Sequence, residues 1–267
     1  MLTKTVTHLT SGSPLYLCNQ KRLQFKNATK KGCLYKRITS VKHSRYLMKI
    51  GAIITGDIVD STKLSMAERN IMLSTIDKIH ELLSPAIDIK MEIFRGDSFQ
   101  IGISNAKDSI RAALAIRAHL RSHKFEAAKT ILDARIAIGI GTLDYESETL
   151  STSDGEAYRL SGRLLDTMDK ARLKVCTPWH NANEELQLAT AFADDIVSSW
   201  TQNQSKIILS SLLTSKSHFE LSQELGISRQ MVDKSLRASK EELIIAYIKR
   251  AEELITIYTK QYGCHTD

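Results

Sequence analysis

The chain has 267 residues, of which 42% are hydrophobic and 25% charged, a composition typical of one or two soluble globular domains. No apolar run reaches the roughly 18–20 residues of a membrane span, so no membrane partner is expected. The net charge of +7 does not indicate nucleic-acid binding by the folded domains, because it comes from the first 47 residues. These hold ten of the 37 Lys and Arg and none of the 30 Asp and Glu.

Residues 1–47 form a basic segment without an apolar period. Three interpretations stay open for it: a disordered basic arm for nucleic acid, a transit peptide, or a stretch foreign to the natural protein, since Met48 directly precedes the first strand pattern. The chain also has four cysteines, and none of them forms a CxxC pair. This spacing predicts no zinc or disulfide framework, and a reduced, cytoplasmic setting.

From residue 48 onward, the apolar pattern predicts alternating strands and helices. The predicted elements are a strand over 49–56, a helix over 65–84, a hairpin of 87–94 with 99–103, a helix over 106–123, a strand over 133–140, a helix over 155–169 and a strand over 173–176. This order predicts an α+β domain over 48–180, with a ferredoxin-like or palm sheet that helices cover on one side.

Residues 181–267 are predicted to be helical, with a helix over 183–200 leading to a helix-turn-helix at about 205–240. Phe219, Leu221 and Leu225 are expected to share the apolar face of the first short helix. Gly226 can end that helix in a left-handed conformation, and Ser228 is a good N-cap for the next one. A long amphipathic helix over 241–262 follows and is suited to packing or dimerisation.

In a helix-turn-helix that binds DNA, the early residues of the second helix enter the major groove. The polar residues expected to face outward and contact DNA are Ser228, Arg229, Gln230, Lys234 and Arg237. The alternative is a helical hairpin that only packs, because residues 206–250 carry eight basic and five acidic side chains, a small excess.

Two carboxylates are predicted to meet at one edge of the sheet. Asp57 follows the first strand, and Asp97 lies at the tip of the hairpin. If the hairpin pairs beside the first strand, the two carboxylates converge and repel each other unless a cation lies between them. Mg²⁺ prefers one or two carboxylates together with phosphate oxygens, so a metal site is expected there. The alternative is an ordinary loop cap and a Gly-Asp turn.

Two arginines of the helix over 155–169, Arg159 and Arg163, lie four residues apart and therefore share one helix face. Guanidinium groups suit phosphate oxygens, so with Arg95 of the hairpin they are candidates for a phosphate site beside the metal. The alternative is a solvated basic face.

Four segments, GDIVDST, RGDSFQIGI, RIAIGIG and SDGEAYRLSGRLL, occur in this order and resemble the SatD family of bacterial proteins. They more distantly resemble the catalytic domain of class III nucleotide cyclases. The resemblance covers about residues 49–177. It implies a nucleotide-cyclase-like palm domain, Mg²⁺ or Mn²⁺ as cofactor, a nucleoside triphosphate or another nucleotide as ligand, and a homodimer.

Carried onto this sequence, the resemblance to the cyclases implies metal ligands at Asp57 and Asp97, with the backbone carbonyl of Ile58 as a further ligand. It also implies a catalytic, transition-state arginine at Arg163. Arg159, one turn earlier, is the second candidate for a catalytic arginine.

Two positions depart from the cyclase pattern. Ile93 stands where cyclases have a base-reading lysine, and Arg159 stands where they have a ribose-orienting asparagine. Isoleucine cannot supply the polar discrimination of a buried lysine. The departures argue against adenylate or guanylate cyclase activity, while metal and phosphate binding remain expected.

Three functions stay open. The first is a metal-dependent nucleotide-binding or nucleotide-processing palm domain coupled to the helix-turn-helix, in a regulatory protein whose activity, if any, is cyclisation or phosphoryl transfer. The second is a DNA-binding transcriptional regulator whose inactive palm-like domain serves dimerisation or sensing. The third is an interaction module in which the helix-turn-helix only packs.

Overall fold

The computed structural model describes residues 49–125, 130–145 and 147–264, and the predicted basic extension over 1–47 lies outside them. The strands are β1 (Ile50–Ile58), β2 (Ile89–Phe94), β3 (Ser98–Ile103), β4 (Lys124–Phe125), β5 (Thr130–Ile131), β6 (Ala134–Thr142) and β7 (Leu173–Cys176). The helices are α1 (Met66–Leu83), α2 (Ser109–Arg121), α3 (Glu156–Asp166), α4 (His180–Ser199), α5 (Gln202–Leu213), α6 (His218–Leu225), α7 (Arg229–Ala238) and α8 (Glu241–Cys264).

Five strands form one sheet in the order β2-β3-β1-β6-β7. β1 pairs antiparallel with β3 on one side and with β6 on the other, β2 pairs antiparallel with β3, and β7 lies parallel to β6. The small hairpin β4–β5 aside, β1, α1, β2, β3, α2 and β6 follow the βαββαβ order of a ferredoxin-like sheet. The predicted α+β palm fold followed by a helical part is therefore confirmed.

Helices cover both faces of the sheet, so the prediction that they cover only one side was wrong. α1 and α2 share a core with one face, whereas α3 lies on the opposite face, where the Thr55 hydroxyl donates to the Ser161 hydroxyl at 3.0 Å. The close approach of α3 depends on Gly139, where an added Cβ would lie 2.2 Å from the Ala157 carbonyl oxygen. The glycines of RIAIGIG thus make room for a helix on the second face.

The pairing of β1 with β3 places Gly56 opposite Phe99 and Asp57 opposite Ser98. The Phe99 ring, which is fully buried, covers Gly56 so closely that a Cβ there would lie 2.2 Å from its Cζ. Because side chains alternate along a strand, Asp57 points to the face that carries α3.

The C-terminal helices pack directly on the sheet domain. α4 contacts β7 and α8, and α5 contacts both α2 and α7. The indole Nε1 of the fully buried Trp200, which follows α4, donates to the carbonyl of Ser239 at the end of α7, at 2.9 Å. The described residues all lie within one compact unit, and the domain boundary near residue 180 stays a prediction. In the described ranges, no helix is both long and apolar enough to cross a bilayer.

Candidate functional site

Asp57 lies near the end of β1, between two polar neighbours on the adjacent strands. Its Oδ1 accepts a hydrogen bond from the Ser98 hydroxyl of β3 at 3.1 Å, and its Oδ2 accepts one from Nη2 of Arg135 of β6 at 2.5 Å. The Asp57 side chain is 25% exposed and that of Arg135 is 38% exposed. The carboxylate is thus held in a fixed orientation at the surface of the sheet.

Asp97 lies at the tip of the β2–β3 hairpin, directly beside the end of β1. Arg95 and Gly96 both have positive φ, 53° and 80°, and reverse the chain before it. The Asp97 carbonyl accepts from the Ile58 amide at 2.9 Å, and its carboxylate Oδ2 accepts from the Ser61 hydroxyl at 2.8 Å. The predicted pairing of the hairpin beside the first strand is therefore confirmed.

Together these contacts bring oxygen donors of Asp57, Ile58 and Asp97 to one edge of the sheet. The amide and the carbonyl of a strand residue point to the same side, so the Ile58 carbonyl also faces the Asp97 segment. An all-oxygen donor set fits a hard cation such as Mg²⁺. Among the described residues, no group of three or more His, Cys, Asp or Glu side chains could hold a metal, so such a site would rest on two carboxylates.

Arg135 is the residue of this site that sequence reasoning missed. It lies directly opposite Asp57 in the antiparallel pairing of β1 with β6. Its guanidinium neutralises one of the two carboxylates, as a cation would. The alternation of DARIAIGI already placed Arg135 on one face of its strand, but only the register of β6 against β1 shows that it reaches Asp57.

The three arginines predicted to bind phosphate are exposed and are not joined to Asp57 or Asp97 by the hydrogen bonds and ion pairs of the described residues. Arg159 pairs with Asp154 at 2.8 Å and with Asp144 at 3.3 Å. Arg163 lies one turn later on α3, and Arg95 lies at the hairpin tip. Their role in phosphate binding stays a prediction.

A buried cluster of charged side chains lies behind the end of β1. The Arg117 guanidinium, which is fully buried, donates to both carboxylate oxygens of Asp133 at 2.9 and 2.7 Å and to Asp194 at 2.6 Å. Arg121 donates to Asp133 at 2.7 Å, and the Asp133 carbonyl accepts from the Val59 amide at 2.9 Å. Burial alone would raise the pKa of Asp133, but the contacts with both arginines hold it below its usual range. The cluster thus fixes the segment that follows Asp57.

α6 and α7 occupy the segment predicted to form a helix-turn-helix, and that motif itself stays a prediction. Gly226 has a left-handed backbone (φ 64°) that ends α6, and the Ser228 hydroxyl caps α7 by accepting from the Met231 amide at 3.2 Å. Leu221 is fully buried, but Phe219 is 58% exposed, so the predicted apolar face was wrong at that position because residues 219 and 221 point to different sides of a helix.

The five residues predicted to contact DNA share one property, which is exposure at the surface; they are Ser228, Arg229, Gln230, Lys234 and Arg237. Contacts on the side of α7 that faces the protein fix the orientation of this helix. Asp233 accepts from Nδ1 of His218 at 2.6 Å, and Val232 and Leu236 are buried. The second helix therefore presents a basic, hydrogen-bonding face to solvent, while DNA contact stays a prediction.

Comparison with known proteins gives fold-level likeness at low identity. No protein-family model and no curated protein matches the chain, and membership of the SatD family stays a prediction. Among solved structures, the GGEEF domain of a diguanylate cyclase from Vibrio cholerae is 15% identical, with a TM-score of 0.36, over 49% of this chain and 85% of that one.

Two further similar structures are nucleotide cyclases. A bacterial light-regulated adenylyl cyclase is 19% identical, with a TM-score of 0.39, over 48% of this chain and 76% of that one. The dimeric guanylyl cyclase domain of the RhoGC fusion protein from the aquatic fungus Blastocladiella emersonii is 13% identical, with a TM-score of 0.38, over 45% of this chain and 75% of that one.

Proposed function

We propose that the chain binds a divalent metal–nucleotide complex at Asp57 and Asp97, and that this site is coupled to the C-terminal helix-turn-helix in a regulatory protein. The observation that carries the proposal is the hydrogen bond from the Ile58 amide to the Asp97 carbonyl, which brings the two acidic segments side by side. Two carboxylates that converge at this edge would favour a cation between them.

The residues that would hold Mg²⁺ or Mn²⁺ are Asp57, Asp97 and the Ile58 carbonyl. Such an ion would neutralise the phosphate oxygens of a nucleotide. The chain's own contribution is orientation, because Ser98 and Ser61 each donate to one oxygen of a carboxylate. These contacts hold the acidic groups before any ligand arrives, which reduces the entropy lost on binding.

The arginines of α3 favour a homodimer in this proposal. Arg163 is exposed and lies on a helix that packs on the sheet through Ser161, two residues earlier and nearly opposite on the helix. It therefore points away from the site of its own chain. If a second copy packed against this face, Arg163 of one copy would lie beside Asp57 and Asp97 of the other. Arg159 would bind phosphate there as well, once it has released Asp144 and Asp154.

A thermal-shift panel with Mg²⁺ or Mn²⁺ and nucleoside triphosphates tests the proposal. We expect a saturable rise in melting temperature that Asp57→Asn and Asp97→Asn each abolish. Asp60→Asn is the matched control, because Asp60 is an exposed acid of the same loop, and its left-handed backbone (φ 57°) tolerates asparagine. A flat response to every nucleotide, or an equal loss in the control, would contradict the proposal.

Whether the bound nucleotide reacts is a separate question, and pyrophosphate release answers it. The Ile93 side chain, at the position of the cyclase lysine, is apolar and offers no hydrogen bond to a base. We therefore expect cyclisation of ATP or GTP to be absent or slow even where nucleotide binding is strong. Pyrophosphate release that depends on Asp57 would establish an enzyme.

DNA binding is the second candidate function, favoured by the exposed basic face of α7. Here the palm domain would serve for dimerisation or ligand sensing. We expect salt-dependent binding to duplex DNA that Arg229→Ala and Lys234→Ala each weaken. Lys249→Ala, which removes an exposed cation from α8, is the control. Binding that all three variants weaken equally would indicate general electrostatic attraction, and no binding would leave α6 and α7 as a packing module.

A further inference from the structure

A cavity of about 360 Å³ lies beside the segment that follows Asp57, on the side of the β4–β5 hairpin. Its walls have two parts. One part is apolar and consists of Val59, Leu64, Phe125, Ile131 and Leu132. The other part is charged and consists of Arg121 and Arg172 with the buried Asp133 and the exposed Asp60, which pairs with Lys63 at 2.9 Å. The volume suits a small ligand with an apolar body and one polar group.

Arg121 is one of the two arginines that line this cavity. Its residue is 7% exposed, and its two Nη atoms donate to Asp133 and to the carbonyls of Ser198 and Trp200. Its Nε is buried and has no hydrogen-bond partner among the described residues. The contacts of the two Nη atoms fix the Arg121 guanidinium at the cavity wall, where its positive charge attracts an anion.

The charged wall also has an excess of positive charge. Among the described residues, Arg117, Arg121 and Arg172 form ion pairs with two carboxylates, those of Asp133 and Asp194, which leaves one positive charge uncompensated within this group. Asp60 on the cavity wall does not change this balance, because Lys63 compensates it. Arg172 makes the loosest contact, with Nε 4.0 Å from Asp133, and its side chain is 34% exposed. Burial, together with the repulsion of Arg117 and Arg172, lowers the pKa of Arg121 in spite of Asp133. By its long contact and its exposure, Arg172 is the most loosely paired cation of this group.

We propose that this cavity binds a small organic anion, with its carboxylate or phosphate group on Arg172 and Arg121 and its apolar body against Leu64, Phe125 and Ile131. The anion would supply the missing negative charge beside Arg172. The site is separate from the proposed metal–nucleotide site, because it lies on the residues after Ile58 and uses neither Asp57 nor Asp97.

The position of this anion site suits an effector. Val59 connects it to the acidic edge of the sheet, since Val59 lines the cavity two residues after Asp57. Arg121 connects it to the helix-turn-helix, because it holds the Trp200 carbonyl at 2.8 Å and the Trp200 indole holds Ser239 at the end of α7. A bound anion would therefore contact residues that connect to the acidic edge of the sheet and to α7.

Calorimetric titration of the full chain with phenyl phosphate, benzoate and inorganic phosphate tests the proposal, at constant ionic strength and without divalent cations or nucleotide. We expect saturable binding of at least one of the two aromatic anions, roughly tenfold or more tighter than inorganic phosphate because of the apolar wall. Phenyl phosphate and benzoate distinguish the two anionic groups. The absence of metal and nucleotide keeps the result independent of the function proposed above.

Three variants complete the experiment. Arg172→Gln should weaken binding roughly tenfold or more, since a charged hydrogen bond is lost. Thr130→Glu, which places a negative charge on an exposed residue of the cavity wall, should weaken it as well. Lys170→Gln removes an exposed cation two residues from Arg172 and should change binding less than about twofold. No saturable binding, undiminished binding by Arg172→Gln and Thr130→Glu, or an equal loss in Lys170→Gln would overturn the proposal.

Discussion

The Arg135 guanidinium donates from Nη2 to Oδ2 of Asp57 across the β1–β6 pairing, at 2.5 Å. A carboxylate of the proposed metal site is thus already paired with a cation from its own chain. The arrangement implies competition, because a divalent ion that approaches Asp57 meets the repulsion of a guanidinium or must displace it.

We predict that Arg135→Gln binds Mn²⁺ more tightly than wild type in the absence of nucleotide, by roughly three- to tenfold, because the competing charge is removed. Electron paramagnetic resonance of free Mn²⁺ measures the affinity. Arg159→Gln removes an exposed arginine that does not contact Asp57 and should leave the affinity unchanged. Weaker Mn²⁺ binding in Arg135→Gln would show that the guanidinium does not compete with the ion.

We predict that Gly139→Ala strongly destabilises the fold. The added Cβ would lie 2.2 Å from the Ala157 carbonyl oxygen and 2.5 Å from the Ser161 amide, both backbone atoms of α3. The helix must move away from the sheet, at a cost of about 1–3 kcal/mol or more. Gly162→Ala, in α3 itself, is the control, because the added Cβ would meet nothing within 4 Å. It should stabilise the protein by about 0.5–1 kcal/mol. Urea unfolding measures both, and equal effects would refute the close approach.

We predict that Trp200→Phe costs more stability than Trp179→Phe. Both tryptophans are buried, but only Trp200 uses its indole nitrogen, which donates to Ser239 at 2.9 Å. The Trp179 Nε1 has no hydrogen-bond partner among the described residues. Both variants lose stability because phenylalanine is smaller than tryptophan. In Trp200→Phe, the unpaired Ser239 carbonyl should add about 1–3 kcal/mol to that loss. Equal midpoints in chemical denaturation would show that this hydrogen bond does not stabilise the fold.

We predict that Arg117→Met destabilises the protein by about 3–5 kcal/mol, because Asp133 and Asp194 lose the guanidinium that compensates their charge in the interior. Arg250→Met is the control, since Arg250 forms an exposed ion pair with Glu185 at 2.6 Å and should not measurably change the melting temperature. The comparison fails if the two variants melt at the same temperature.

We predict that the protein loses stability below about pH 6.5 through His119. Burial lowers the pKa of this imidazole, although its Nε2 contact with the Thr75 carbonyl opposes the shift. Between the lowered folded pKa and the ordinary value of 6.5, the unfolded chain binds a proton that the folded chain does not. The free energy of unfolding therefore falls as the pH falls, by up to about 1.4 kcal/mol per pH unit.

Urea midpoints at pH 7.5 and pH 5.5 test the role of His119. His119→Gln should reduce the difference between the two midpoints, because glutamine does not titrate. His180→Gln, at a largely exposed histidine, should leave that difference as in wild type. A pH dependence that survives in His119→Gln would assign it to other groups.

The sheet and the pairing of the hairpin beside the first strand could be predicted from the sequence because they depend on local signals. The apolar periods located the strands, and Arg95-Gly96 located the turn that brings Asp97 back beside the first strand. The place of α3 could not be predicted in this way. Alternation along β6 shows that Gly139 lies on the face opposite Ile138, but not which helix fills the space it leaves.

The contacts of the charged residues depended on information that the sequence does not contain. Arg135 reaches Asp57 only because β6 pairs with β1 in one particular register, and the two residues are 78 positions apart. Arg117 lies in an Ala-rich helix whose apolar face was predicted, yet it is fully buried because it pairs with Asp133, directly before β6, and with Asp194 of α4. Partners so distant in the chain leave no periodic signal in it.

The Phe99 ring over Gly56 has a consequence for how the acidic edge comes about. A slip of β1 by one residue would put Asp57 under that ring and turn its charge into the hydrophobic interior. The packing of the Phe99 ring on Gly56 therefore sets the location of the Asp57 carboxylate, before any cation or nucleotide is present. Ligand-free and ligand-bound protein should accordingly share one strand alignment, visible as the same set of amide protons protected from hydrogen exchange along β1.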